Sequence, residues 1–178
     1  MTAVRNIQIF AVVVFITALF STRAAVTTSS FESGDFSGWN AQGEGWAVND
    51  TEASSGKKSA YCAISKGEAP GVKACAKVIP KASPGYVIKG SLDVAGKVKY
   101  NCSHVKISII CVDITGKILS EVEKKVNAPS PDFTKVTVPE LIVPSGTAHA
   151  YIMLIVEVTQ PAKSSEWWRF DNIVIQVQ

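Results

Sequence analysis

The chain has 178 residues, of which 47% are hydrophobic and 19% charged, with a formal net charge of +3. This length and composition suit one globular domain with a buried core and differ from those of disordered chains, which are poor in apolar residues and rich in charge. The small net charge argues against nucleic acid as a partner, because phosphate backbones are bound by clustered lysine and arginine side chains.

Residues 1–24 have the pattern of a secretory signal peptide. Arg5 supplies the positive start, Ile7–Phe20 supplies the apolar run, and small residues flank a cleavage site after Ala24. The run is shorter than the roughly 20 residues that a membrane-spanning helix needs, so a retained membrane anchor is the minor alternative. We therefore expect residues 25–178 to be one secreted, extracellular domain that does not span a membrane.

Two N-glycosylation sequons agree with export through a eukaryotic secretory pathway. They are Asn49-Asp50-Thr51 and Asn101-Cys102-Ser103. We expect Asn49 and Asn101 to carry glycans.

Beyond the signal peptide, the periodicity is that of β-strands throughout, and no window of about 11 residues has a helical period. The prolines, Pro139 among them, fall between the predicted strands, where a missing N–H does no harm. Strands of this length and spacing predict an all-β fold, an antiparallel β-sandwich of about nine strands and the jelly-roll type. The predicted strands are Trp46–Asn49, Ser59–Ser65, Val72–Ile79, Tyr86–Ala95, Val105–Ile114, Val122–Val126, Thr134–Val138, Ala148–Val158 and Trp167–Val177.

Four cysteines in an exported chain suggest oxidation. Cys62 and Cys75 are equally far from the middle of the turn Lys66–Gly71, so a hairpin centred there would place them opposite each other as a disulfide. Lys73 flanks Cys75 on that face, which indicates that the face is exposed to solvent. Tyr61 lies on the opposite face of the predicted hairpin, so we expect it to face the core.

The other two cysteines are a poor pair. If Val105–Ile114 is one extended strand, the α-carbons of Cys102 and Cys111 are more than ~20 Å apart, whereas a disulfide needs ~4.4–6.8 Å. We expect Cys111 to be a buried free thiol. The pairings of Cys62 with Cys102 and Cys75 with Cys111, or of Cys62 with Cys111 and Cys75 with Cys102, stay open.

An ordered series of short motifs runs along residues 30–177. The chain opens with S-F-E-S-G-D-F-S-G-W at 30–39 and closes with W-R-F-D-N-I-V-I at 168–175; between them lie A-S-S-G-K-K-S-A at 53–60, P-G-Y at 84–86 and I-V-P-S-G-T at 142–147. This series resembles the calcium-carrying β-sandwich carbohydrate-binding modules, within the galactose-binding-like jelly rolls. The resemblance implies a non-catalytic domain that binds carbohydrate.

The resemblance also implies a structural calcium ion where the first and last strands meet. Glu32 and Asp171 would supply carboxylates, and backbone carbonyls near Ser30 and from the turn at Lys57 would complete the shell of oxygens that calcium prefers. The alternative is that Glu32 is a surface acid and that Asp171 accepts backbone N–H groups in a bulge. Asp35 is a weaker third candidate, and the sequence favours a solvated side chain for it.

Sugar binding in the modules that this chain resembles uses aromatic rings that stack on the apolar face of a pyranose. Strand alternation puts one of Trp167 and Trp168 inward and the other outward, and a bulge near Asp171 would reverse the assignment. His149 shares a face with Tyr151 on one strand, and His104, Lys106 and Ser108 share a face on another. The predicted ligand-binding residues are Trp46, Tyr100, Tyr151, Trp167 and Trp168.

Catalytic motifs are missing from the sequence: it has no G-x-S-x-G, no H-E-x-x-H and no phosphate-binding glycine loop. Glu157 and Glu166 are the two acids that could approach each other in space, and we expect no catalytic pair. The alternative from another class is a self-assembling extracellular structural protein, a homo-oligomer that uses an exposed edge strand or donates the terminal stretch Thr27–Ser30. The charged segment Glu121–Lys125 is typical of an edge strand protected from such pairing.

Overall fold

The computed structural model describes residues 25–127 and 130–178, so the predicted signal peptide lies outside the described residues. Within that range the chain forms strands and no helix, and hence no helix that could cross a membrane. The strands are β1 Ala25–Ser29, β2 Trp39–Gln42, β3 Trp46–Asn49, β4 Ser59–Ile64, β5 Gly71–Val78, β6 Val87–Lys97, β7 Ser103–Val112, β8 Ile118–Val126, β9 Thr134–Ile142, β10 His149–Val158 and β11 Glu166–Val177.

Two antiparallel sheets pack face to face as a sandwich. The first has the order β3-β4-β11-β6-β9, and β1 joins it by pairing with the second half of β11. The second has the order β2-β5-β10-β7-β8, which places the charged strand β8 at an edge, as predicted. The prediction of an all-β antiparallel sandwich is confirmed.

Side chains that alternate along the central strands fill the space between the sheets. β11 contributes Trp168 and Phe170, β7 contributes Ile107, and β10 contributes Ile152 and Leu154, all of them almost fully buried. Burying one such aliphatic side chain contributes about 1.5–3 kcal/mol, so these strands supply much of the favourable free energy of folding.

A β-bulge in β11 decides which of its two tryptophans faces the core. The pairing of β11 with β6 shifts register between Asp171 and Val174, and Asn172 inside the bulge has a φ of 49°. The extra residue reverses the alternation, so Trp168 lies on the same inward side as Ile175. The alternative that a bulge near Asp171 reverses the simple parity is therefore confirmed.

Two short strands were not predicted. β1 pairs with Ile173–Val177, so the stretch Thr27–Ser30 lies largely within a strand of the chain's own sandwich. β2 pairs with Ala74–Lys77 of β5. Both strands are short and mostly polar, so neither has a periodic apolar signal.

Pro139 lies inside β9 and not between strands, which corrects the prediction. β9 is the edge strand of the first sheet, and its pairing with β6 shifts between Ile88 and Gly90, close to the proline. Proline is tolerated at edges and bulges, because its missing N–H does not remove a hydrogen bond between two strands of the sheet there.

The predicted hairpin around Lys66–Gly71 is wrong, because β4 and β5 belong to different sheets. Cys62 and Cys75 both point into the core from opposite sides of the sandwich, and both are free thiols. Burial raises the pKa of each thiol to about 12. Tyr61 points outward instead of into the core, on the side of β4 opposite to Cys62.

The two remaining cysteines are also buried free thiols, as was predicted for Cys111. The Cys102 thiol donates a hydrogen bond to the buried carboxylate of Glu166 at 2.8 Å. Lys73, which was predicted to face solvent, is 6% exposed; its Nζ donates to the Glu44 and Ala63 carbonyls and pairs with Glu68.

Candidate functional site

Among the described residues no further layer covers the outward side of the second sheet, which we call the open face. β10 contributes Tyr151, Met153, Ile155 and Glu157, which alternate with core residues and are half-buried. The predicted sharing of a face by His149 and Tyr151 is confirmed, and their rings lie 6.2 Å apart.

Strand register builds rows of side chains across this face. Its centre is apolar because β5 contributes the small residues Ala74 and Ala76 beside Met153 and Ile155. The carboxamides Asn40 and Gln42 of β2 form one rim, and charged residues of β8 form the other. The three rows are Val78-Tyr151-Ile110-Glu121, Asn40-Ala76-Met153-Ser108-Glu123 and Gln42-Ala74-Ile155-Lys106-Lys125.

The floor of the open face is sunken. Ser108, Ile110 and Val112 point outward from β7, yet they are 0%, 9% and 8% exposed. The flanking side chains of β10 and β8 therefore rise above them, and the face forms a shallow trough along β7 with Tyr151 on its β10 side. The Ser108 hydroxyl is buried beneath these side chains and has no hydrogen-bond partner among the described residues.

One end of the trough carries a charged cluster. The Glu157 carboxylate lies 3.0 Å from the Nζ of Lys106 and 3.0 Å from the Nε2 of His104. The bond from Lys106 lowers the pKa of Glu157, whereas burial, with the charge of Lys125, lowers the pKa of His104. Glu157 and Lys106 are thus held ionised beside a neutral imidazole at neutral pH.

Trp167 points outward from the first sheet, on the side of the sandwich opposite to Tyr151. The Arg169 guanidinium lies over its ring, 4.6 Å from the centroid, and also over Tyr61 at 5.6 Å. Arg169 is held in turn by Glu52 and by a hydrogen bond to the Thr51 hydroxyl. These contacts fix the Trp167 ring while leaving it half-exposed.

Two of the predicted aromatic residues, Trp168 and Trp46, pack on the core. Trp168 is fully buried and its indole N–H donates to the Ser103 hydroxyl at 3.0 Å, so the prediction that it contacts a ligand is wrong. Trp46 packs against Phe36 and Phe170, with its ring half-buried at the edge of the first sheet.

Tyr100 lies on the loop between β6 and β7 and is 41% exposed. The ammonium groups of Lys99 and Lys163 lie 5.3 and 5.8 Å from its ring centroid. The predicted aromatic residues therefore do not gather at one place: Tyr151 lies on the open face, and Trp167 lies on the outer face of the other sheet.

Glu32 and Asp171 meet at the loop Ser54–Lys58. The backbone N–H groups of Lys57 and Lys58 donate to Glu32, and those of Ser54, Ser55 and Asn172 donate to Asp171. These amide bonds lower the pKa of Glu32. Burial raises the pKa of Asp171, and the negative charge of Glu32 adds to that effect.

The fit of this site to calcium can be judged from its donors. Two converging carboxylates supply the charge that calcium binding needs, and a cation would relieve their mutual repulsion. Burial is the main cause of the raised pKa of Asp171, and the charge of Glu32 contributes less. The donors turned toward the carboxylates are amide N–H groups, however, and Lys57 contributes its N–H there. Among the described residues no cluster of three acidic, histidine or cysteine side chains surrounds the site. Ser30, near which a carbonyl ligand was predicted, follows β1 directly and precedes Glu32 by two residues.

Several residues of these surfaces were missed from the sequence. Asn40 and Gln42 were missed because β2 has no apolar period. Tyr61 was placed in the core by the wrong hairpin. Arg169 was not considered, although its position two residues after Trp167 puts both on one face of a strand.

Comparison with known proteins identifies similar folds. The chain matches no protein-family model, and no curated protein sequence matches it. Among solved structures, the CBM22-1 xylan-binding domain of Xyn10C from Paenibacillus barcinonensis is similar over 85% of this chain and 92% of its own, with a TM-score of 0.59 and 20% identity.

Two other similar structures have different activities. The enzymatically active domain of tailspike protein 4 of bacteriophage CBA120 matches 84% of this chain with a TM-score of 0.63 and 15% identity, but this chain spans only 20% of it. A cyclase from Fischerella sp. TAU matches over 86% of this chain and 98% of its own, with a TM-score of 0.57 and 12% identity. At these identities the likeness shows the fold, which is that of the β-sandwich carbohydrate-binding modules, as the motifs predicted.

Proposed function

We propose that this protein is a secreted, non-catalytic carbohydrate-binding module that holds a glycan chain in the trough of the open face. The observation that carries the proposal is the largely apolar open face with Tyr151 beside the trough along β7, bounded by a carboxamide rim and a charged rim. A sugar ring has an apolar C–H face and a polar edge of hydroxyls, so it fits a surface with an aromatic side chain and polar margins.

The polar groups of the trough suit hydroxyl recognition. Asn40 and Gln42 each offer a donor and an acceptor from the exposed β2 edge, and Glu157 and Lys106 offer charged partners at one end. The fold likeness to a xylan-binding domain supports the same class of ligand.

The absence of catalysis is part of the proposal. Glycoside hydrolysis uses two carboxylates about 5–9.5 Å apart across a cleft. Glu157 points outward from the second sheet, whereas Glu166 is buried and accepts N–H groups from Lys99 and Tyr100. The two acids that the sequence offered as a pair therefore do not face one cleft.

A structural calcium ion at Glu32 and Asp171 remains part of the proposed function. It would neutralise two carboxylates that approach each other from the two ends of the chain. Its support is the resemblance of the motifs and the convergence of the two carboxylates on the loop Ser54–Lys58.

Retention of the purified protein on insoluble polysaccharides and immobilised glycans, first with calcium and then with a chelator, tests this function. We expect retention that free sugar competes away. A folded monomer that no glycan retains would overturn the proposal. High-mass species that form with calcium, without glycan retention, would instead support the self-assembling structural alternative.

Point variants then test whether the open face is the surface that binds glycan. Tyr151→Ala should weaken retention about tenfold or more, whereas Tyr151→Phe, which keeps the ring, should retain most of it. Ile142→Ala is the matched control, because Ile142 is 68% exposed on β9, outside the open face. Equal retention of Tyr151→Ala and the control would remove the open face from the proposal.

A further inference from the structure

A second surface lies beside Trp167, on the outer face of the first sheet. Trp167 pairs across the strands with Lys97 of β6, and a hollow opens on that side of its ring. Most of the lining is apolar, and two ammonium groups border it. We call it the Trp167 hollow, and its lining residues are Gly96, Lys97, Val98, Lys99, Pro131 and Trp167.

The aromatic wall of the hollow is held in place. The Arg169 guanidinium lies 4.6 Å from the centroid of Trp167, and Glu52 and Thr51 hold Arg169 in turn. A ring fixed in this way loses little conformational entropy when a ligand stacks on it, which favours binding.

The backbone that carries the lysines is also anchored. The buried Glu166 carboxylate accepts the N–H groups of Lys99 and Tyr100 at 3.1 and 3.3 Å. On the other side, the Gly96 N–H donates to the Ser130 carbonyl at 2.7 Å. Because the Glu166 carboxylate accepts these backbone N–H groups, it does not pair with the ammonium groups of the lysines.

The exposed charge around the hollow is mainly positive. In the described part of the chain, Lys97, Lys99 and Lys163 form no ion pair, unlike Lys89 on the same face, which pairs with Glu140 at 2.9 Å. Lys99 and Lys163 both lie over the Tyr100 ring. The opposing acids are Asp132, next to Pro131 and exposed, and Glu166, which is buried.

We propose that the Trp167 hollow is a second glycan site that binds carboxylate-bearing sugar units, the uronic acids of an acidic polysaccharide. The Trp167 ring contacts the apolar face of the pyranose, and Lys97 and Lys99 bind its carboxylate by charge-assisted hydrogen bonds. The site lies on the other sheet from Tyr151, so it does not depend on the open face.

Homogalacturonan tests this inference, because methyl esterification removes its charge without changing the sugar chain. Affinity of the purified protein is measured for the de-esterified and the fully esterified polymer of equal length at low salt. We expect the de-esterified polymer to bind about tenfold more tightly or better, with the preference falling as salt is added. Equal affinity for the two polymers would overturn the proposal.

Variants separate this site from the open face and from general charge attraction. Lys97→Ala with Lys99→Ala should abolish the preference, and Trp167→Ala should weaken binding of both polymers. The charge-matched control is Lys89→Ala with Lys135→Ala, on the same outer face. A separate site would be overturned by an equal loss in that control, or by a loss of uronate binding in Tyr151→Ala. Uronate binding that Tyr151→Ala retains supports the separate site, even if the open face binds no glycan.

Discussion

Glu32 and Asp171 come from opposite ends of the chain, yet they accept hydrogen bonds from the two halves of a single loop, Ser54–Lys58. The loop closes the junction between the first motif and the last strand. The conformation of the loop therefore depends on two acids that lie far apart in sequence. A structural ion would bind at this junction.

Asp171→Ala should lower the melting temperature and abolish any dependence of that temperature on calcium. The change leaves the amides of Ser54, Ser55 and Asn172 without their acceptor, and each such hydrogen bond contributes roughly 0.5–1.5 kcal/mol, because these exposed residues can bond to water instead. Thermal melts with calcium and with a chelator measure both effects. Asp35→Ala is the control, since that exposed carboxylate bonds only to its neighbours Ser33 and Ser37. A wild-type melt that is the same with and without chelator would remove calcium from the proposed function.

Gly56→Ala should destabilise the fold more than Gly67→Ala does. Both glycines have positive φ, +68° and +84°, so both substitutions carry the strain of about 1–3 kcal/mol that side chains meet there. A β-carbon at Gly56 would also lie 2.5 Å from the Oε1 of Glu32, whereas one at Gly67 meets no atom within 4 Å. Urea denaturation of the two variants isolates the clash, and equal midpoints would contradict the close approach of Glu32 to this loop.

Trp168→Phe should lower the free energy of unfolding by about 1–3 kcal/mol and leave glycan binding unchanged. The substitution opens space in the core and deprives the buried Ser103 hydroxyl of the indole N–H. Chemical denaturation gives the first quantity and retention on polysaccharide the second. A variant that keeps its stability but loses binding would show that Trp168 contributes to ligand binding.

The four thiols should be unreactive in the folded protein. Burial raises the pKa values of Cys62, Cys75 and Cys102 to about 12 and also raises that of Cys111, so the thiolate population at pH 8 is very small. Reaction with a thiol reagent should be negligible in native buffer and should count four thiols in urea without reductant. A count of two would show that a disulfide forms after all.

Glu157→Gln should destabilise the protein at neutral pH, and the difference from the wild type should fade in acid. The bond from Lys106 lowers the pKa of Glu157 below its ordinary value of 4.5. A carboxylate of this kind contributes stability above its unfolded pKa and loses the contribution as the pH falls through its folded pKa. Melts of both proteins between pH 7 and about pH 3 measure the fading. A difference that stays constant across this range would contradict the ion pair.

Strand positions could be predicted from the sequence because alternation of apolar residues is a local property. Every predicted segment coincides with an observed strand, with ends that differ by a few residues, and the bulge at Asp171 was one of the two alternatives considered. β1 and β2 were missed because short polar strands are held by their partners and have no local apolar pattern.

Pairing between strands could not be predicted in the same way. Alternation shows which residues of a strand share a side, but it does not show which sheet the strand joins. The error for Cys62, Cys75 and Tyr61 has this origin, because the turn after β4 crosses from one sheet to the other instead of closing a hairpin. Asn40 and Gln42 reach the open face through the pairing of β2 with β5, so they emerged only from the structure. Arg169 shares a face with Trp167 by alternation alone and was overlooked.

The pairing of Ala25 with Val177 has a practical consequence for how the domain can be attached to anything else. Segments fused before Ala25 and after Gln178 would emerge side by side, at the end of β11 remote from Trp167, about 30 Å away along the strand. A linker, tag or solid support joined at either terminus would therefore hold the molecule in nearly the same orientation, with the Trp167 end directed away from the point of attachment.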